Sequence, residues 1–148
     1  TQAVDLGQEL AGRTLANRGN SSACPLSDCN TLGANGATLQ ADNTVCFGGS
    51  VTNNLQSCTP IQVAQQDVRD WKNLVSGTTD ASSPGTITQG LPSGIGVVCC
   101  TDNLNGGSAT DYTCPNTTGV PLVAQYAVKV HWTGVDGIKH RVVLAAVP

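Results

Sequence analysis

The segment SCTPIQVAQQDVRDWKNLV, residues 57–75, decides how the rest of the chain is read. Thr59 suits a helix N-cap. Pro60 falls at the first helical position, where its missing N–H removes no bond, and Gln62 completes a capping box. Ile61, Ala64, Val68, Trp71 and Val75 then recur at three-and-four spacing and make one apolar face. Gln65, Gln66, Asp67, Arg69, Asp70 and Lys72 fall largely on the other. The pattern predicts a short surface helix over 59–76, pinned in front by Cys58 and burying one of the chain's two tryptophans. Such an element suits a small extracytoplasmic domain better than an enzyme active site.

Composition agrees. At 148 residues the chain is expected to form a single domain, 1–148, with one modest core. Aromatics are only 3% and methionine is absent, so that core must rest on Val, Leu, Ile and Ala. Seven cysteines without CxxC spacing point to disulfide bracing in an oxidising compartment rather than to zinc or a redox pair. Charged residues are 11%, against about 25% in typical soluble domains, and neutral polar residues replace them as on secreted surfaces. The net charge of −3, with seven scattered Lys and Arg, offers no basic patch for nucleic acid. The sequence shows no transmembrane run, signal peptide or initiator Met, so the expectation is an exported protein whose directing segment has been removed.

Upstream, residues 3–18 (AVDLGQELAGRTLANR) read as helix, with Ala3, Leu6, Leu10 and Thr14 on one face and Ala11 and Leu15 on the adjoining stripe. Gly7 and Gly12 weaken it by up to ~1 kcal/mol each relative to Ala. No cap precedes it, so residues 1–18 are expected to be the end of a longer helix, with Arg18 and Gly19 as the stop. Residues 19–58 form a loop region without sustained periodicity, carrying Cys24, Cys29 and Cys46. Cross-links make so long a loop tenable. Cys24–Cys29 and Cys46–Cys58 are candidate pairs, a closed loop of about 15 residues contributing on the order of 3 kcal/mol. Spacing alone leaves the connectivity open. Residues 77–85 read as a linker.

The part from 94 to 148 reads as β-sheet. IGVVCC (95–100) is a short apolar strand, and VAQYAVKVHWTG (123–134) alternates, with Tyr126, Val128, Val130 and Trp132 on one face and Gln125, Ala127, Lys129 and His131 on the other. Asp136-Gly137 signals a two-residue type I′ hairpin. The return strand is then 138–147, with Val130 facing Val143, Thr133 facing His140, and Trp132 facing Arg141, whose guanidinium would lie across the indole. Residues 99–114 form a polar excursion with Cys99, Cys100 and Cys114 at its ends. Only one of the adjacent cysteines easily reaches Cys114, and Cys99 or Cys100 is the candidate for the odd thiol. The fold class expected is α+β, an N-terminal helix and a second short helix with an antiparallel sheet, helix packed on one sheet face and loops braced by disulfides.

Catalytic chemistry has little support. His131 and His140 are read as solvated or capping sheet residues without a third partner. No GxSxG elbow is present, and no Ser/His/Asp set stands out. Asp102, Asn103, Asn105 and Asp111 form an oxygen-rich loop that departs from the EF-hand pattern and suits ordinary turns. Asn20 and Asn116 head sequons in polar loops. No catalytic residue, metal or cofactor is expected.

The order of parts resembles a known family: a helix running in from the N-terminal side, a cysteine-bearing loop, CTPIQVAQQDVRDW, a Gly-rich linker, GVVCC, a further Cys, and the Tyr-x-Val-x-Val-x-Trp strand at 126–132. This series is similar to the PilV-type minor pilins of type IV pili, and more loosely to the minor pseudopilins of type II secretion. The resemblance implies a non-enzymatic subunit of the fimbrium that primes pilus assembly and sits at or near the filament tip, in the service of adhesion and twitching motility. It implies as partners other minor pilins, the major pilin and a tip-associated adhesin. The full-length form would be anchored in the bacterial inner membrane by an upstream helix of about 25–35 mostly apolar residues, and then carried to the extracellular pilus. Leu6 and Leu10, with Ile61, Val68 and Trp71 of the second helix, would be the helix packing face. Two other classes compete. A binding module would use loops 19–57 and 101–121, where Phe47 and Tyr112 are the only aromatics; a secreted disulfide-rich enzyme or inhibitor needs a convergent polar site.

Overall fold

A computed structural model of the chain describes residues 2–16, 58–77, 90–100, 108–112 and 126–146. These form two helices, α1 (Gln2–Ala16) and α2 (Pro60–Ser76), followed by three strands, β1 (Ile95–Cys100), β2 (Tyr126–Thr133) and β3 (Lys139–Ala146). The strands make one antiparallel sheet in the order β1-β2-β3. The class is α+β.

α2 starts where its capping residues require. Thr59 is extended, its hydroxyl accepts from the Gln62 N–H at 3.2 Å, and its own N–H donates to Gln62 Oε1 at 2.9 Å. Gly77 closes the helix in the left-handed conformation, its N–H donating to the Asn73 carbonyl at 2.9 Å. Gly77 is thus a cap, not the first residue of a linker. The rest of the 77–85 reading lies outside the described residues.

Alternation along the strands separates the two sheet faces. Gly96 and Val98, then Tyr126, Val128, Val130 and Trp132, then Val142 and Leu144 share the inner face through the registers Gly96↔Val130, Val98↔Val128, Val128↔Leu144 and Val130↔Val142. α1 lies across β2 and β3 there, and α2 lies against β1 and α1. The main core is Ala3, Leu10, Ala64, Val68, Trp71, Val75, Leu91, Val98, Tyr126, Val128 and Val130, with Leu6, Ala11, Trp132, Val142 and Leu144 half-buried around it.

Trp71 joins the three layers. It is fully buried, its indole N–H donates to the Leu6 carbonyl of α1 at 2.6 Å, and its six-membered ring covers Gly96 of β1. A Cβ on Gly96 would lie 2.7 Å from Trp71 Cη2 and 3.1 Å from Cε3. Gly7 plays the matching part in α1: a Cβ there would meet the Leu144 side chain. The helix propensity lost at Gly7 therefore accompanies a close approach of α1 to the sheet. Arg13 adds a bridge between the helices, 3.3 Å from Asp67 and 2.7 Å from Glu9.

Three expectations need correction. First, α2 is not a surface helix. Gln66 and Lys72, on the side expected to be solvated, are buried, as is Asn73 beside them, and Gln66 Nε2 donates to Asp70 Oδ1 at 2.7 Å. Second, β2 is central and covered on both faces from Tyr126 to His131, so its polar-looking side is not a water-facing one. Third, the hairpin register differs by one residue. Val130 pairs with Val142, His131 with Arg141, Trp132 with His140 and Thr133 with Lys139. The cause is the turn. The Gly134 N–H donates to the Ile138 carbonyl at 2.8 Å and the Gly137 N–H to the Gly134 carbonyl at 2.9 Å, enclosing a three-residue loop. Type I′ would need positive φ at Asp136, but among the described residues only Ser93 has it outside glycine; Gly137 alone takes φ 76° here. Asp136-Gly137 thus ends a three-residue loop with a left-handed glycine instead of forming a two-residue one. One residue of slip exchanges faces along β3, which is why Arg141 lies away from Trp132.

Candidate functional site

The outer face of the sheet is where polar chemistry gathers. Alternation puts Val97 and Cys99 of β1, Ala127, Lys129 and His131 of β2, and Arg141 and Val143 of β3 on this side. Val97, Cys99 and Ala127 make a second small apolar cluster, with Ile95, Val143 and Tyr112 packed against it. Tyr112 belongs to a short strap, residues 108–112, held in a turn by the Asp111 N–H donating to the Ser108 carbonyl at 3.0 Å. A hydroxyl contact of 3.0 Å between Ser108 and Thr110 tightens it.

His131 is only 2% exposed and Lys129 also 2%. The solvated-histidine reading is therefore wrong for His131: the strap lies over it. Its Nδ1 is 3.0 Å from the Ala109 carbonyl oxygen, and its ring meets Tyr112 nearly edge-on, centroids 4.9 Å apart at 76°. A carbonyl oxygen only accepts, so Nδ1 carries the hydrogen and the neutral ring presents Nε2 as a bare acceptor. That Nε2 is buried and without a partner. Burial holds the imidazole below its ordinary value of 6.5; the Ala109 hydrogen bond opposes this, Arg141 and Lys129 add to the lowering, and Asp111 pulls the other way.

His140 sits on the inner side at the hairpin end. Its ring stacks on Trp132, centroids 5.4 Å apart at 22°, and its Nε2 lies 3.7 Å from Asp136 Oδ1, which also accepts from the Ile138 N–H at 2.9 Å. The stack over Trp132 expected of Arg141 is thus made by His140. Val135 and Ile138 at the same tip are exposed.

The residues singled out in the sequence are distributed as follows. Leu10, Val68 and Trp71 are buried together on the inner face with Leu6 half-buried beside them, while the Ile61 side chain lies outside the described residues. Cys58 and Cys99 are each disulfide-bonded, so Cys99 is not the odd thiol. Cys24, Cys29, Cys46 and Cys114, the Cys100 side chain, Phe47, and the oxygen-rich set Asp102, Asn103 and Asn105 lie outside the described residues. Asp111 lies in the strap. Among the described residues no group of three His, Cys, Asp or Glu side chains is placed to hold a metal ion. The outer-face cluster escaped the sequence reading because Ala127, Lys129 and His131 alternate with core residues as solvated positions do. The one available hint was Tyr112, an aromatic in a polar loop. The chain matches no protein-family model, no curated protein and no solved structure.

Proposed function

We propose that this chain is the head of a minor pilin of a type IV pilus, a non-enzymatic subunit that primes assembly and resides at or near the filament tip with other minor pilins. The observation carrying the reading is the way α1 is laid across an antiparallel sheet and locked there. Leu10 and Ala3 are buried in the core, and the Leu6 carbonyl takes the Trp71 indole hydrogen bond. A helix fastened along its length to a folded head is what a subunit needs when its other half packs among neighbouring helices. Among the described residues no helix is long and apolar enough to cross a membrane. In this reading the anchor is a continuation of α1 upstream, an apolar stretch of about 20 residues or more. The sheet and its disulfide-braced surroundings form the part presented to other minor pilins, the major pilin and a tip adhesin.

The test is deletion of the gene in its native bacterium, with pilus retraction disabled. Surface pili should fall sharply, return with the wild-type gene, and fail to return with Trp71→Ala. An epitope tag on the chain should label sheared filaments at their ends. Normal piliation with the tagged chain free in the medium would overturn the reading; intact pili with lost protein secretion would move the chain to a pseudopilus.

A further inference from the structure

Among the described residues, the large apolar side chains left exposed are at one place, the β2–β3 hairpin tip: Val135 is fully exposed and Ile138 58% exposed. We propose, resting on the reading of α1 as the end of an anchored helix, that this tip sits in the surface of the membrane carrying the anchor. Val135 and Ile138 enter the headgroup layer, and Lys139 meets a lipid phosphate. The tip is built to stand out. β1 stops pairing at Ile95↔His131, and the loop after β2 reaches roughly 13 Å past that pair at about 3.3 Å per residue. The Gly134 and Gly137 N–H groups bond within the loop, and the Ile138 N–H donates to Asp136 Oδ1, so these donors do not need water.

The direction of the helices decides what the tip faces. α1 and α2 run antiparallel, since Arg13 meets Asp67 while Leu6 meets Trp71. α2 runs on to Val75, whose carbonyl takes the Leu91 N–H at 2.9 Å, and next to Leu91 the Pro92 carbonyl takes the Thr133 N–H at 2.9 Å. The C-terminal end of α2 therefore lies at the hairpin end of the sheet, and the N-terminal end of α1 points the same way. Gly7 packs on Leu144 and Val130. From that level the tip extends five strand residues, roughly 16 Å, and α1 back to Gln2 only about 8 Å. An upstream continuation of α1 into a bilayer thus brings the tip to lipid ahead of the rest of the sheet. A soluble partner would have to enter on the side where the anchor leaves the head. Lys139, exposed at the base of the tip, has a stem long enough to follow the aliphatic pair while its ammonium stays at phosphate depth. Asp136, the carboxylate of the tip, is engaged by the Ile138 N–H and lies 3.7 Å from His140 Nε2. Two aliphatic side chains hold a free head on a bilayer only weakly, so the contact depends on the anchor keeping the tip there.

The experiment joins the oxidised 148-residue chain at Thr1 to a generic apolar helix of about 20 residues, an anchor independent of the native one, in nanodiscs of phosphatidylethanolamine and phosphatidylglycerol. Amide NMR is recorded with and without a lipid bearing a paramagnetic label on its headgroup. Amides of residues 134–139 should broaden more than those of α2 and β1. Val135→Ser combined with Ile138→Ser should abolish that excess with the sheet amides in place, and Lys139→Gln should reduce it. If the double variant does not fold, the wild-type broadening decides alone. Four results overturn the proposal: equal broadening across the head, an excess that survives the double variant, an excess untouched by Lys139→Gln, or tip shifts that follow protein concentration in the unfused chain without lipid. The last would give the tip to a second copy. Because the anchor is supplied, a failure here leaves the gene-deletion result on piliation standing, and the reverse holds too.

Discussion

Gly96→Ala is the sharpest test of how the layers meet. Gly96 is an ordinary strand position, without the positive φ that would penalise a side chain, so in isolation the change should stabilise the strand by roughly 0.5–1 kcal/mol. In this fold the new methyl would lie 2.7 Å from Trp71 Cη2 and 3.1 Å from Cε3, well inside contact distance. The ring cannot swing away, because it is fully buried and tied to Leu6 by its 2.6 Å hydrogen bond. Contacts this short put the cost in the upper part of the about 1–3 kcal/mol that overpacking takes, at about 2–3 kcal/mol, which outweighs the strand gain. The net expectation is a loss of about 1–2 kcal/mol, or roughly 2–8 °C in Tm for a chain of this size. Urea denaturation followed by far-UV circular dichroism on the oxidised protein measures it without relying on tryptophan emission. Trp71→Phe withdraws the far atoms of the indole, so adding Gly96→Ala in that background should be neutral or stabilising. The two changes should then be coupled by about 1–3 kcal/mol. If Gly96→Ala alone is as stable as wild type, Trp71 does not fill the space over β1 and the account of the core fails.

Further outcomes are expected elsewhere. Leu10→Asp, which puts a carboxylate at a fully buried position, should remove at least the ~2–5 kcal/mol of a lost core leucine and leave the protein in the insoluble fraction; a soluble, cooperatively folding variant would refute the packing of α1. Thr59→Ala deletes the hydroxyl that accepts from Gln62 and should cost about 1 kcal/mol, with faster amide exchange in the first turn of α2. Global stability should also depend on pH through His131. Its folded value lies below 6.5, so the unfolded chain takes up the proton first. The stability is present above 6.5 and is lost as pH falls from there through the lowered value. Urea midpoints should therefore be lower at pH 5 than at pH 7.5, and His131→Phe should flatten the difference.

The sequence was most legible where local chemistry acts alone. Thr59, Pro60 and Gln62 announce the start of α2, and the period-two run from Tyr126 to Trp132 announces the inner face of β2, because caps and pleats are set by residues close in the chain. Legibility failed where a distant element intervened. Lys129 and His131 look solvated in an alternating strand, yet a strap well upstream covers the ring of His131. Gln66 and Lys72 look like the wet side of α2, and no periodicity reveals that they are enclosed. The hairpin shows a subtler limit. Asp-Gly serves both two- and three-residue loops, and the choice turns on whether Asp136 or only Gly137 adopts the left-handed region. Of the candidate site, the sequence offered the residues but not their gathering.

The hydrogen bond from Trp71 to Leu6 has a mechanical meaning. It spans 65 residues and runs from the side chain of one helix to the backbone of another. Tension along α1 would load this link, the Arg13 to Asp67 contact and the seat of Gly7 against Leu144 together, in shear rather than one after another. The grip on the head would give way only when the indole slid out from above β1, so the seat of Trp71 over Gly96 sets how much tension the head can bear.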